Sequence, residues 1–266
     1  MNMIKDILSN RQMLWKLAKN DFKTKYAGSY FGILWAFVQP VVTIMIYVLI
    51  FQFGFKAAPA ADGYPYALSL TAGIIPWFFF SEALLNSTNC FMEYSYLVKK
   101  VVFQIDILPV VKCMSSLFVH AFFILFALIV FVAFGKLPPV QFIQIIYYVF
   151  CTVCFTLALS FMTSAIVPFF RDLGQIISII LQVWMWACPI MWDMQQMLGG
   201  HPLILKILKL NPLVYIVDGY RDCYINGVWF WEHGVYTLYF WCVTILLGLF
   251  STRIFKRLRV HFSDVL

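Results

Sequence analysis

The sequence predicts an all-α integral membrane protein with six transmembrane helices. Three observations lead there. Of the 266 residues, 63% are hydrophobic and only 12% charged, whereas soluble domains carry roughly 45–50% apolar and about 25% charged residues; a globule of this composition would expose large apolar patches. Six segments reach the roughly 20 apolar residues needed to cross a hydrocarbon core of about 30 Å. The short alternating segments of a β-barrel are missing. The hydrophobic excess also excludes a disordered chain, and the scattered 13 Gly and 11 Pro exclude a collagen-like one.

Residues 1–33 form a polar, basic N-terminus that contains the amphipathic stretch Arg11–Tyr26. At 100° per residue, Leu14, Trp15, Ala18, Phe22 and Tyr26 share one flank, while Gln12, Lys16, Lys19 and Lys23 share another, as in a helix lying in the membrane interface. Asp21 and Lys25 intrude on the apolar flank, although their i,i+4 spacing lets them pair with each other. Two readings of this helix stand: a basic anchor on anionic lipid headgroups, in which Arg11, Lys16, Lys19, Lys23 and Lys25 contact the lipid, or a docking helix for a cytoplasmic partner.

The spans follow as Leu34–Phe55, Tyr66–Thr88, Ile107–Phe134, Phe142–Val167, Ile176–Trp192 and Gly234–Thr252. Charge or turn chemistry bounds them: Lys56 with Pro59 and Asp62-Gly63, Lys99-Lys100, Gly135-Lys136 with Pro138-Pro139, and Pro168 with Arg171-Asp172. No small-residue cleavage site follows the first apolar run, so the first span is expected to stay in the mature protein. Residues 34–252 are thus a single transmembrane domain, and 253–266 a basic tail.

Six crossings put both ends on one side. That side carries Lys5, Arg11, Lys16, Lys19, Lys23, Lys25, Lys99, Lys100, Lys112, Arg171, Arg253, Lys256, Arg257 and Arg259 out of 19 Lys and Arg. By the positive-inside rule both termini are cytoplasmic. The net charge of +7 is then an orientation signal, and nucleic acid is not an expected partner.

Two segments between spans carry further information. The cytoplasmic loop 93–106 is too charged to insert and too apolar for a plain linker; a short helix along the membrane surface would offer Tyr96, Val98 and Phe103 to a partner, or rest on headgroups. The exterior segment Asp193–Trp231 is apolar yet holds Lys206, Lys209, Asp218, Arg221 and Asp222, too many charges for a seventh span. Pro202 and Pro212 each fit the first turn of a helix, with Asn211 as a cap before the second. Residues 201–226 therefore read as two short helices dipping back toward the bilayer and lining a cavity, or as a helical cap.

Glu82 is the acidic side chain well inside a span, near its cytoplasmic end, with a gating or inter-subunit role as the functional reading and simple hydration as the alternative. Aromatic residues concentrate toward the exterior ends, where an interfacial belt accounts for most of them. Tyr47, Phe51, Trp77, Trp184 and Trp186 are candidates for a path suited to sugar rings, which stack on aromatic faces. Cys151 and Cys154 have CxxC spacing, but inside an apolar helix without a nearby His or acid they read as packing residues. Neither a phosphate-binding GxxxxGK[ST] loop nor HExxH nor GxSxG occurs. The chain is expected to be no enzyme by itself and to hold no metal or cofactor.

Five motifs in order, "YAGSYFGILWAFVQP" at Tyr26–Pro40, "GIIPWFFF" at Gly73–Phe80, "LVKKVVF" followed by Pro109, "FFRDL" at Phe169–Leu173 and "NPLVYIVDGYRD" at Asn211–Asp222, resemble the membrane subunits of bacterial ABC exporters for lipid-linked polysaccharides: O-antigen, capsule and wall teichoic acid permeases. The resemblance spans nearly the whole chain. One departure is that the family commonly has Phe-Pro and then a basic residue in the cytoplasmic loop, where this chain has Phe103-Gln104 and then Asp106. The resemblance implies a homodimer in the bacterial plasma membrane, bound to two copies of a separate cytoplasmic ATPase that holds ATP and Mg. It makes Arg11–Tyr26 an interface helix, Tyr94–Ile105 a coupling helix contacting the ATPase through Tyr94, Tyr96, Lys99, Lys100 and Phe103, and residues 201–226 exterior gate helices with Asn211, Pro212, Tyr215, Asp218, Tyr220 and Arg221. The implied substrate is an undecaprenyl-(pyro)phosphate-linked polysaccharide moved to the outer face; "YIVDGYRD" and "HFSDVL" look closest to teichoic acid permeases, with O-antigen or capsule export as the alternative. A small-molecule ABC permease and a membrane-embedded glycosyl- or acyltransferase are readings from other classes. The latter would rest on Asp193, Asp218, Asp222 and Glu232.

Overall fold

The computed structural model describes residues 10–55, 63–98 and 104–265. Its main helices are α1 (Arg11–Lys25), α2 (Trp35–Val48), α3 (Tyr66–Thr88), α4 (Leu108–Ala133), α5 (Ile145–Ile166), α6 (Leu173–Ala187), α7 (Pro202–Lys209), α8 (Pro212–Arg221) and α9 (Val235–Leu258). Among the described residues the structure is all-helical, as the composition predicts. α2 is lengthened by a tight turn at its start and a wide turn at its end, giving a helical span over Gly32–Gly54.

Among the described residues, five helices are long and apolar enough to cross a bilayer, and α6 is a shorter apolar one. The fifth span, expected at Ile176–Trp192, instead begins at Leu173 and stops at Ala187. Cys188 precedes Pro189, whose ring disfavours helical backbone in the residue before it, and Cys188 accordingly turns extended at φ −97°, ψ 136°. Its 15 residues rise only about 22 Å. The last span overruns its expected end at Thr252, because Phe255 is buried against Phe91 and Phe161 and extends the apolar stripe to Leu258.

α3 is the axis of the bundle. Of its most apolar stretch 72% is buried, against 11% for the first span; α4, α5 and α8 pack around it, and α9 packs on α5. α2 and α6 lean chiefly on α3 from one side and leave large apolar side chains exposed there, including Val42, Met45, Ile46, Ile179 and Val183. α4 ends in a Schellman cap: Gly135 takes φ +71°, its N–H bonds Val132 O and that of Lys136 bonds Phe131 O.

α1, the loop after α3 and the tail after α9 meet at the terminal end of the bundle. Of the loop expected to hold one surface helix, the described residues include one-turn helices at Cys90–Glu93 and Ser95–Val98 and a tight turn at Ile105–Ile107, while its middle, residues 99–103, lies outside the described residues. At the far end the two short helices foreseen from Pro202 and Pro212 are present, with both prolines in the first turn. They differ in burial. α7 buries none of its residues, whereas α8 buries Leu213, Val214, Ile216, Val217, Gly219 and Tyr220 against α3, α5 and α9. Gly219 permits this, since a Cβ there would sit 1.9 Å from the Tyr148 ring. α8 is thus packed into the bundle on this face.

Candidate functional site

Two polar constructions stand out in an otherwise apolar chain. The first ties α1 to α4 and to the loop after α3. Asp21 and Lys112 are both buried, and the Lys112 ammonium donates to Asp21 Oδ1 at 2.7 Å and to the Glu93 carboxylate. The Tyr94 hydroxyl donates to the same Asp21 oxygen at 2.6 Å, and its ring lies 5.0 Å beneath the Lys112 nitrogen. Burial and the hydrogen bond to Asp21 both push the Tyr94 phenol well above its ordinary value, so it stays a donor. One cation between two carboxylates is a paired, hydrogen-bonded arrangement of the kind buried charge requires. The Asp21–Lys25 pair that the spacing allows does not form: Asp21 takes Lys112, and Lys25 takes Glu82 of α3.

The Lys25–Glu82 pair opens the second construction, a cleft of about 540 Å³ between α2 and α6 with α3 as its floor. Trp35, Gln39 and Thr43 come from α2, Phe78, Ser81 and Glu82 from α3, Ser178 and Gln182 from α6, and Tyr26 closes the terminal end. Thr43, Ser81 and Ser178 each donate to a carbonyl of their own helix, which leaves their oxygens free to accept. Gln39 and Gln182 are exposed and make no side-chain hydrogen bond among the described residues. Burial, then the nearby Glu82 carboxylate, pushes the Tyr26 phenol up to about 12. The lining therefore offers amides, hydroxyls, one ion pair and aromatic rims, a set matched to a polyhydroxylated ligand.

The residues singled out from sequence distribute unevenly over these two features. Tyr94 is in the buried network; Tyr96 is exposed; Lys99, Lys100 and Phe103 lie outside the described residues. Arg11, Lys16, Lys19 and Lys23 project from the exposed face of α1. The aromatic candidates do not form one wall. Trp77 is buried against Phe80, so its face is unavailable to a ligand, and Trp184 turns inward, donating to Asn211 Oδ1 at 3.1 Å with Phe80 at its edge. Phe51 stacks on Tyr66, Tyr47 is half-buried, and Trp186 is exposed. The rings that line the cleft are Tyr26, Trp35 and Phe78, none of them among the aromatic residues proposed for a sugar path.

At the far end, Asn211 caps α8 by accepting from the Leu213 N–H at 3.1 Å, ahead of Pro212. Tyr215 shares hydroxyl contacts with Tyr147 at 3.1 Å and Thr237 at 3.0 Å. Tyr220 is fully buried and bonds His120 Nε2 at 2.7 Å. Arg221 lies 3.6 Å from Asp218 and donates to Ile190 O at 2.9 Å; together with the Tyr66 hydroxyl on Met191 O at 2.7 Å it clamps the turn after α6. Of the acids at this end, Asp222 is committed to His233 at 2.6 Å and to Asn226 at 2.8 Å. Among the described residues no cluster of three metal-ligating side chains occurs. The signal that sequence reasoning left without a partner was charge on apolar faces: Lys112 inside a span and Asp106 at its start.

Comparison with known proteins agrees with this architecture. The ABC-2 type transporter family matches residues 12–225. The chain is 26% identical to the O-antigen export system permease protein RfbA of Myxococcus xanthus over 231 residues, covering 87% of this chain and 85% of that one. It is equally 26% identical to an RfbA of Klebsiella pneumoniae over 259 residues, 96% and 95% of the two chains. The polysialic acid transport protein KpsM of Escherichia coli is 23% identical over 233 residues, 86% and 88%. With the match running from α1 through α8 and the spanning helices in place, the chain belongs to the ABC-2 type transporter family and is a multi-pass membrane protein.

Proposed function

We propose that this chain is the permease of an ATP-driven exporter that carries a lipid-linked polysaccharide from the cytoplasmic to the outer face of the plasma membrane. Both termini are cytoplasmic in this reading, two copies form the translocation unit, and two ATPase chains dock on the terminal end through α1 and the loop 93–106. The observation that carries it is the cleft between α2 and α6. Exposed amides at Gln39 of α2 and Gln182 of α6, both in its lining, would be costly against hydrocarbon, where nothing satisfies them. A second copy placed against the exposed α2 and α6 faces shelters both clefts and encloses a polar path with aromatic rims. The relatives named for O-antigen and polysialic acid transport support a sugar polymer as the cargo.

As to the polymer, similarity to the O-antigen permeases over nearly the full chain favours an O-antigen type of glycan. "YIVDGYRD" and "HFSDVL" favour wall teichoic acid, carried on undecaprenyl (pyro)phosphate. Inverted membrane vesicles containing the chain and its ATPase test the reading: added ATP should draw native lipid-linked polymer into the lumen, protected from external periodate. Gln39→Leu with Gln182→Leu should slow this about tenfold or more while the ATPase stays bound. Unchanged protection in the double variant would remove the cleft from the path, and isolating the protected polymer identifies the cargo.

A further inference from the structure

The tail beyond α9 grips both ends of the loop 93–106. Arg259 Nη1 donates to Asp106 Oδ1 at 2.9 Å and to Oδ2 at 2.7 Å. Asp106 is 4% exposed and stands where the loop enters α4. One turn later, Phe262 is 1% exposed; its ring centroid lies 4.9 Å from that of Phe91, where the loop leaves α3, and 6.1 Å from that of Phe169, just ahead of α6. Phe91 is itself fully buried and also meets Phe255 of α9 at 5.8 Å. Three separate segments of the terminal end therefore converge on residues three apart: both feet of the loop and the lead-in to the helix that forms one wall of the cleft.

A tail that merely ended the last span would need no such contacts. A charged pair with a nearly buried carboxylate is retained only where its geometry is good, and its more secure use is to fix a register rather than to add stability. Phe262, by contrast, supplies contact without polarity, so the clamp has one directional and one apolar jaw.

We propose that Arg259 and Phe262 are positioning residues that carry displacement of the loop 93–106 into α6 and α9, so that ATP hydrolysis on the partner is converted into opening of the cleft. This rests on reading the chain as an ATP-driven permease. The residues touch neither nucleotide nor cargo; they set how loop, α6 and α9 move as one body.

The inverted-vesicle assay separates the possibilities when polymer protected from periodate is measured against phosphate released, with co-purification of the ATPase as the second readout. Arg259→Gln and Phe262→Ala should keep the complex and its hydrolysis near wild type while polymer moved per phosphate falls about tenfold, a coupling loss of ordinary size. Arg259→Lys should restore the ratio, because a single nitrogen makes both contacts to Asp106, and Phe262→Leu should restore the apolar jaw. If Arg259→Gln moves polymer at the wild-type ratio, the proposal is overturned and the transport reading stands. If Arg259→Gln instead loses the ATPase altogether, the clamp only shapes a docking surface and the proposal is equally overturned. Should wild-type vesicles show no ATP-dependent protection, the transport reading itself fails, and the proposal with it.

Discussion

Lys112 of α4 and Asp21 of α1 lie 91 positions apart in sequence, and their charged atoms are 2.7 Å apart in a site that excludes most solvent. The pair fixes the amphipathic helix to the bundle wall at one point. It also explains why Asp21 sits on the apolar flank of α1: that flank faces a buried ammonium, not only lipid.

Removing one partner should be far more damaging than removing both. Lys112→Met leaves the Asp21 carboxylate buried and uncompensated, a loss of roughly 3–5 kcal/mol, and should shift the melting midpoint of the detergent-solubilised protein sharply down. Asp21→Asn with Lys112→Met should recover most of that loss. Equal destabilisation by the single and double changes would mean that the pair does not carry the coupling assigned to it.

The Lys25–Glu82 pair should behave in the opposite way. Both side chains keep about a third of their surface in contact with solvent, and half-exposed pairs contribute about 0–1 kcal/mol. Glu82→Gln should therefore leave the melting midpoint nearly unchanged while altering export, since it changes the charge on the cleft floor. A variant that unfolds would reassign Glu82 to structure.

Gly219 is a site of close approach, with the Tyr148 ring where any Cβ would sit. Gly219→Ala should cost about 1–3 kcal/mol through overpacking and reduce the yield of monodisperse protein. Tyr148→Ala in the same chain should relieve part of the defect, and additive losses would argue against the clash as the cause.

His233 supplies a pH signature. Its hydrogen bond to Asp222 raises the imidazole above its ordinary 6.5 despite the opposing effect of burial, with the Asp218 and Glu232 carboxylates acting in the same sense as Asp222. The folded state thus binds the proton more tightly than the unfolded one, so the stabilisation is complete below about pH 6.5 and is lost as pH rises through the folded value. Subtracting the melting curve of His233→Gln from that of the wild type at a series of pH values should give a difference that shrinks with alkalinity. A flat difference would show that the pair does not titrate in this range.

Much of the architecture was legible because lipid leaves the backbone so few options. Length and apolarity placed the spanning helices, and Pro202, Pro212 and Asn211 placed the two short ones to within the residue. The end of α6 was less legible, since a run through Trp192 looks continuous in hydropathy while one peptide at Cys188–Pro189 breaks the helix. Side-chain partners were least legible. Asp21 and Lys25 satisfy the local i,i+4 rule, yet each is drawn to a residue far along the chain, and local spacing carries no information about Lys112 or Glu82. Asp106, noticed first as a departure in the loop, gains its sense only when Arg259 is seen beside it.

Because α2 and α6 lean chiefly on α3 and only lightly on the rest, the two walls of the cleft, lined by Gln39 and Gln182, are braced from one side only. The jaws of this aperture can part without unpacking the frame formed by α3, α4, α5, α8 and α9. For the proposed passage of a sugar polymer, a bore bounded by a packed frame on one side and two lightly braced walls on the other would adjust to the unit passing through it.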